Sequence, residues 1–233
     1  MELQEAVKGY EEQLLKSLQE SIRIRSVQGE ASEQYPYGKR SAGLSGSCTE
    51  NGGSTWLCNH RFGSSDGLCE YGDGEEMVAV LGHLDVVPEG DGWSFDPFGG
   101  EIRDGKVFGR GAMDDKGPTI AALYALAALR DSGLPIRRRI RLLFGTNEET
   151  GSNDMKYYRS HGGEIPVMGF TPDGEYPVIN GEKGLINVNF CQKLRHRMEM
   201  SEFWRFTEVR HRMSYLRRQR QKLSARQNWL LLY

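Results

Sequence analysis

Over residues 2–24 apolar positions recur at three- and four-residue steps, with Leu3, Ala6, Val7, Tyr10, Leu14, Leu15, Leu18 and Ile22 falling on one side of a helical projection. The spacing predicts an amphipathic helix whose apolar face needs a partner. The pattern changes at "EMVAVLGH" (76–83), a short valine-rich run of the kind that forms a buried strand. In "EIRDGKVFGRG" (101–111) the dipeptide Asp104-Gly105 stands between Ile102 and Val107, which predicts a hairpin. "TIAALYALAALRDSG" (119–133) is rich in strong helix formers, with Pro118 at its start and Gly133 at its end, and predicts a buried helix. "RIRLLFGTNEE" (139–149) reads as a further strand. The order strand, hairpin, helix, strand predicts an α/β domain with a central sheet flanked by helices. Ligands of such sheets gather beyond the carboxyl ends of the strands, where His83 and the pair Glu148 and Glu149 fall.

Composition adds bounds rather than detail. At 233 residues and 38% hydrophobic the chain can build a core as one large domain or two small ones. No apolar run reaches the roughly 18 residues of a membrane span. The opening "MELQEAVKGYEEQ" is acidic and lacks the apolar segment of a secretory signal, so a cytoplasmic location is the expectation. Cys48, Cys58, Cys69 and Cys191 show no CxxC spacing and read as free thiols. Residues 41–74 carry eight glycines and six serines with neither helical nor strand periodicity, so 41–70 is set apart as an atypical segment. Residues 191–233 hold 11 Lys/Arg against 3 Asp/Glu, a local charge of +8 within a chain of net −2, and form an atypical basic tail after a main body of 1–190. Its Trp204, Phe206 and Tyr215 suit stacking on nucleic-acid bases, but no nucleic-acid motif accompanies them and such a partner is not the expected one.

Four clusters carry chemistry. His83 and Asp85, two residues apart on a strand, can face one site, and a carboxylate beside a ligating imidazole fixes its orientation. A core histidine with a surface aspartate beyond it accounts for the pair equally well. In "GRGAMDDKGP" (109–118) two carboxylates precede a helix start. Helix capping accounts for one of Asp114 and Asp115, and a carboxylate bridging two cations for the other. In "GTNEETGS" (145–152) Glu148 and Glu149 can share a site only if the chain turns, which Gly151 and its polar neighbours permit. One could bind metal while the other takes a proton from water, or both could belong to a solvated acidic loop. Asp173 precedes Gly174 in "FTPDGEYP" (170–177), which alone is a turn. Together these N/O donors suit zinc, manganese or cobalt.

In order and spacing, "GHLDVVPEGDGW", "GRGAMDDKG", "GTNEETGS" and "PDGEYPV" resemble the two-metal zinc peptidases that include acetylornithine deacetylase, succinyl-diaminopimelate desuccinylase, aminoacylase-1 and carboxypeptidase G, with the wording most similar to the bacterial dipeptidase V branch. The resemblance implies the N-terminal part of a zinc-peptidase catalytic domain with a mixed central sheet. It implies one or two Zn2+ ions (Co2+ or Mn2+ as substitutes) and a small dipeptide as substrate. His83 and Asp173 would bind one metal, Asp114 would bridge, and Glu149 would bind the second. Asp85 would orient His83, Glu148 would be the general base, and the bond between Asp114 and Asp115 would be cis. A deacylase of N-acyl amino acids, or an inactive metal-binding fragment, are the alternatives within the same resemblance.

The resemblance also implies a histidine for the second metal from near the end of a longer chain, and a separate lid domain. Neither has a counterpart here, and nothing marks His60, His161, His196 or His211 as a substitute. The second metal is therefore expected to bind weakly and activity to be impaired. Oligomeric state is not readable from the sequence.

Overall fold

The N-terminal apolar pattern folds as two helices rather than one in the computed structural model, which describes residues 3–30, 60–62, 66–174, 179, 190–193 and 229–232. Helix α1 (Leu3–Lys8) ends at a turn through Gly9 and Tyr10, and α2 (Glu11–Arg23) restarts the pattern, burying Ser17, Leu18, Ser21 and Ile22. Gly9 explains the break, because glycine is a poor helix interior residue.

The strands follow as β1 (His60–Phe62), β2 (Asp66–Tyr71) and β3 (Met77–His83), then the hairpin β4 (Glu101–Arg103) and β5 (Lys106–Phe108). The hairpin turn has positive φ at both Asp104 (52°) and Gly105 (70°), as the Asp-Gly signature requires. Helix α3 (Lys116–Ser132) comes next and closes on Gly133 in the left-handed region. Strand β6 (Arg139–Gly145), a 3-10 turn (Glu148–Thr150), helix α4 (Asn153–Ser160) and strand β7 (Met168–Phe170) complete the order. The predicted strand over 139–149 thus stops at Gly145, because the next backbone N–H groups turn to side-chain carboxylates instead of a neighbouring strand.

Five strands form one mixed sheet in the order β1-β2-β6-β3-β7, antiparallel across β1, β2 and β6 and parallel across β6, β3 and β7. One face packs Val80, Leu142 and Phe144 against Leu18 and Ile22 of α2 and Ile120, Leu123 and Leu126 of α3. The other packs Leu68, Met77, Ala79 and Leu143 against Tyr158 of α4. On that second face Arg139 and Arg141 bind Glu70 and Glu164, and Arg141 also donates to Tyr158. Register pairs Met77 with Arg139 and His83 with Gly145, so both central strands end at the same level.

Two expectations change. Residues 66–71 of the Gly/Ser-rich stretch form an inner strand, with Leu68 in one core and Cys69 in the other. Burial on both faces removes the alternation that would have marked the strand. Cys69 is disulfide-bonded rather than a free thiol, since spatial approach, not sequence spacing, decides pairing. Most of 41–65 and most of the basic tail, with Trp204, Phe206 and Tyr215, lie outside the described residues.

The chain divides into a unit spanning Met1–Ile179 and another spanning Asn180–Tyr233, whereas the composition boundary falls at 190. In the second unit β8 (Phe190–Lys193) pairs antiparallel with β9 (Trp229–Leu232). Among the described residues no helix is long and apolar enough to cross a membrane.

Candidate metal centre

His83 ends β3 and is only 3% exposed. Its Nδ1 lies 3.0 Å from the backbone carbonyl oxygen of Asp85 and 3.4 Å from that residue's Oδ1. A carbonyl oxygen only accepts, so Nδ1 carries the hydrogen and Nε2 is the atom left to bind a ligand. Nε2 is buried and makes no hydrogen bond among the described residues. Around it stand Asp114 Oδ1 at 3.2 Å, Asp173 Oδ2 at 3.4 Å and Glu148 Oε2 at 3.9 Å.

The support beneath the imidazole is built from the start of α3. The Asp114-Asp115 peptide bond is cis. Asp114 is exposed toward the site, whereas Asp115 is fully buried at the N-cap position of α3. Its carboxylate does not cap the helix. Oδ2 accepts from the His83 backbone N–H at 3.1 Å and from the Thr119 hydroxyl at 2.9 Å. Burial pushes the Asp115 carboxyl up to about 6, against these two bonds and the charge of His83. Gly82 allows this approach: a Cβ there would stand 2.1 Å from Thr119 Oγ1 and 3.0 Å from Asp115 Oδ2.

Just after β3, Ser26 donates to the carbonyl of Leu84 at 2.6 Å and Val86 N–H donates to Ser26 at 3.2 Å, which anchors the chain on both sides of Asp85. Asp85 is 1% exposed, and besides facing His83 it accepts the Glu148 N–H on Oδ1 at 3.2 Å and the Glu149 N–H on Oδ2 at 3.1 Å. One buried carboxylate therefore orients the imidazole and holds the turn that carries both glutamates. Partial burial raises both glutamates above the ordinary carboxylate range, with repulsion from Asp173, Asp85 and Asp114 on Glu148 and from Asp114 and Glu148 on Glu149 adding to it, and the charge of His83 opposing it.

All six residues singled out in the sequence converge here. Among the described residues two trios have ligand atoms within 4.8 Å of one another: His83, Asp114 and Glu149, and His83, Glu148 and Asp173. An unbonded, buried imidazole nitrogen facing three carboxylate oxygens among the described residues fits a divalent cation, and the donor set fits Zn2+, Co2+ or Mn2+. Without a cation, burial works against charge on His83, yet Asp85, Asp115 and Asp173 outweigh it and hold the ring up at about 10. The site stabilises positive charge at Nε2. Of the spare histidines, His161 lies at the exposed end of α4 and stacks on Tyr157, apart from the site, while His60 lies in β1. His196 and His211 fall outside the described residues. The buried roles of Asp115, Thr119 and Asp154 were not read from the sequence, and the only local signal was the run of polar residues at each helix start.

A mixed sheet with a carboxylate-lined imidazole at its strand ends defines a metallopeptidase-type catalytic domain. Residues 79–208, more than half of the chain, match peptidase family M20/M25/M40, and the chain belongs to that family. It is 41% identical over 193 residues to YtjP of Bacillus subtilis, provisionally named a dipeptidase, and 37% identical over 195 residues to the Beta-Ala-Xaa dipeptidase of Lactobacillus delbrueckii. Each alignment covers 82% of this chain and 41% of the relative, so the chain spans well under half the length of these proteins. The fold is similar to human carnosine dipeptidase 1 (TM-score 0.56, 21% identity, 73% of this chain and 41% of that one). It is also similar to the dipeptidase Dug1p of Saccharomyces cerevisiae (TM-score 0.52, 21% identity, 68% and 37%).

Proposed function

We propose that this chain carries the metal-binding and proton-transferring part of a dipeptidase acting on small, unblocked dipeptides. The observation that carries the reading is His83 Nε2, buried and without a hydrogen bond, with three carboxylates at 3.2 to 3.9 Å. His83 and Asp173 would hold one cation, Asp114 would be shared with a second, and Glu149 would be the further protein ligand of the second. Zn2+ is the proposed ion, with Co2+ or Mn2+ as substitutes; once bound it polarises a carbonyl and makes water more acidic. Glu148 takes the proton of the attacking water on its carboxylate and delivers it to the leaving amine, a task its raised pKa favours. Asp85 keeps the hydrogen on Nδ1 and Nε2 directed at the site.

The dipeptidase names of both relatives support the substrate class, and the Lactobacillus protein's name points to a β-alanyl residue at the amino end. Among the described residues the second cation would find two protein ligands, so it would bind more weakly than the first and turnover would be impaired accordingly. Equilibrium dialysis against Zn2+, followed by assays with a β-alanyl dipeptide, an α-dipeptide and an N-acetyl amino acid, tests the reading. Cleavage of either dipeptide supports it, cleavage of the N-acetyl compound alone makes the chain a deacylase, and absence of bound Zn2+ removes the basis for both.

A further inference from the structure

The segment that carries Glu148 and Glu149 has left the sheet, so its backbone N–H groups need other partners. Four successive ones find them on two buried carboxylates. Asp85 takes those of Glu148 and Glu149. Asp154, in the first turn of α4 and 1% exposed, takes the preceding two on a single oxygen: Oδ2 accepts from Thr146 at 2.7 Å and from Asn147 at 3.0 Å. Its Oδ1 accepts from Met155 at 2.8 Å. Gly145 lets the carboxylate come this close, since a Cβ there would stand 3.2 Å from Oδ2. Asn147 ties the loop to the same helix start: its Oδ1 accepts the Asn153 N–H at 3.0 Å, and its carbonyl accepts the Ser152 N–H at 2.8 Å.

We infer that Asp154 is a positioning residue: it fixes Thr146 and Asn147 at the end of β6 and so delivers Glu148 and Glu149 to the reach of Asp85 and His83. This rests on the metal-centre reading for its consequence, but not for its geometry. Ion-dipole bonds from a buried carboxylate to two adjacent amides are strong and directional, and outer-shell contacts of this kind tune metal affinity through the ligands they orient. The hydrogen bonds of the Asp154 carboxylate among the described residues go to backbone N–H groups, not to the six site side chains. Its effect passes through the backbone.

The test compares Asp154→Ala, Asp154→Asn and Tyr158→Phe in the full 233-residue chain. Asn keeps an oxygen that both N–H groups can use. Tyr158→Phe removes contacts of the same helix to Arg141 and Glu164, away from the loop. Two readouts are taken: amide hydrogen exchange at Glu148 and Glu149, and Co2+ affinity with its visible d–d spectrum. In Asp154→Ala the two amides, whose own acceptor Asp85 is intact, exchange about tenfold faster or more. Co2+ affinity falls about 10- to 100-fold with an altered spectrum. Asp154→Asn lies between wild type and Ala, and still reports if the Ala variant does not fold. Tyr158→Phe changes neither readout, which separates positioning from general loss of stability.

Unchanged exchange at Glu148 and Glu149 in both Asp154 variants overturns the inference. So does an equal Co2+ change in Tyr158→Phe. If the wild-type chain gives no Co2+ spectrum, the metal reading fails by itself, and the exchange rates still decide the role of Asp154.

Discussion

His83 Nε2 stands 3.2 Å from Oδ1 of Asp114, a buried imidazole against an exposed carboxylate, and His83 belongs to both trios of candidate ligands. Asp173 belongs to only one of them. One imidazole nitrogen binds one cation at a time, so removing it acts directly on the cation assigned to His83 and Asp173. His83→Ala is expected to lower Zn2+ affinity beyond the roughly 10- to 100-fold cost of losing an outer-shell contact. Asp173→Ala removes the other assigned ligand of the same cation, so dialysis should show that site weakened and the weaker site at Asp114 and Glu149 retained. If His83→Ala also abolishes the weaker binding while Asp173→Ala does not, His83 serves both trios and the ligand assignment fails.

The pH dependence follows from the same nitrogen. His83 is raised from 6.5 to about 10 and Asp115 from 3.8 to about 6. Each folded value lies above the unfolded one, so the stability they contribute is present at low pH and is lost as pH rises, through about 6 for Asp115 and about 10 for His83. Arginine partners lower Glu89, Asp131 and Glu164, whose contribution is instead lost on acidification below the ordinary carboxylate range. The metal-free chain should accordingly melt at a lower temperature at pH 9 than at pH 6. A cation that displaces the His83 proton reverses this. Between these pH values Zn2+ binding should release about one proton and strengthen about tenfold per pH unit. Calorimetry in buffers of different ionisation enthalpy measures the proton directly, and no release would exclude His83 as a ligand.

Much of the candidate site was legible because the residues proposed as ligands sit where chain pattern changes. His83 and Glu148 follow valine- and leucine-rich runs, and Asp114 precedes a helix whose alanine- and leucine-rich composition is plain. What was not legible depends on approach between distant segments. Strand β2 hid in a Gly/Ser-rich stretch because both its faces are buried. Asp115 looked like a helix cap, yet its carboxylate turns inward to the His83 N–H and Thr119. The limits of β6 were misjudged because Thr146 and Asn147 are polar residues whose backbone bonds go to Asp154, eight and seven residues ahead. Periodicity reports which face a residue shows, not which carboxylate its N–H meets.

Glu148 separates two roles that its geometry allows. It is the proposed proton acceptor, and it is also a member of the trio with His83 and Asp173. As an acceptor it acts on the reacting water, so Glu148→Gln should reduce dipeptide hydrolysis by about 10²- to 10⁴-fold while Zn2+ affinity stays near wild type. As a ligand its loss would weaken binding in step with activity. Zn2+ dialysis beside a dipeptide assay on the same preparation reads both, and a parallel fall would move Glu148 from base to ligand.

The floor of the site leaves no room at Gly82. A methyl group there would stand 2.1 Å from Thr119 Oγ1 and 3.0 Å from Asp115 Oδ2, both buried. Gly82→Ala is therefore expected to destabilise the fold by about 1 to 3 kcal/mol, the usual cost of overpacking. The same displacement reaches the site, because Asp115 accepts the backbone N–H of His83. Adding Thr119→Ala removes the closest of three contacts and leaves those to Thr119 Cβ and Asp115 Oδ2, both at 3.0 Å, but it also removes a hydroxyl donor to Asp115. The double variant should recover part of the stability and little of the Zn2+ affinity. Urea denaturation measures the first and dialysis the second; the two substitutions are in contact, so their effects should not add. Full recovery of both would mean that Asp115 does not support the imidazole.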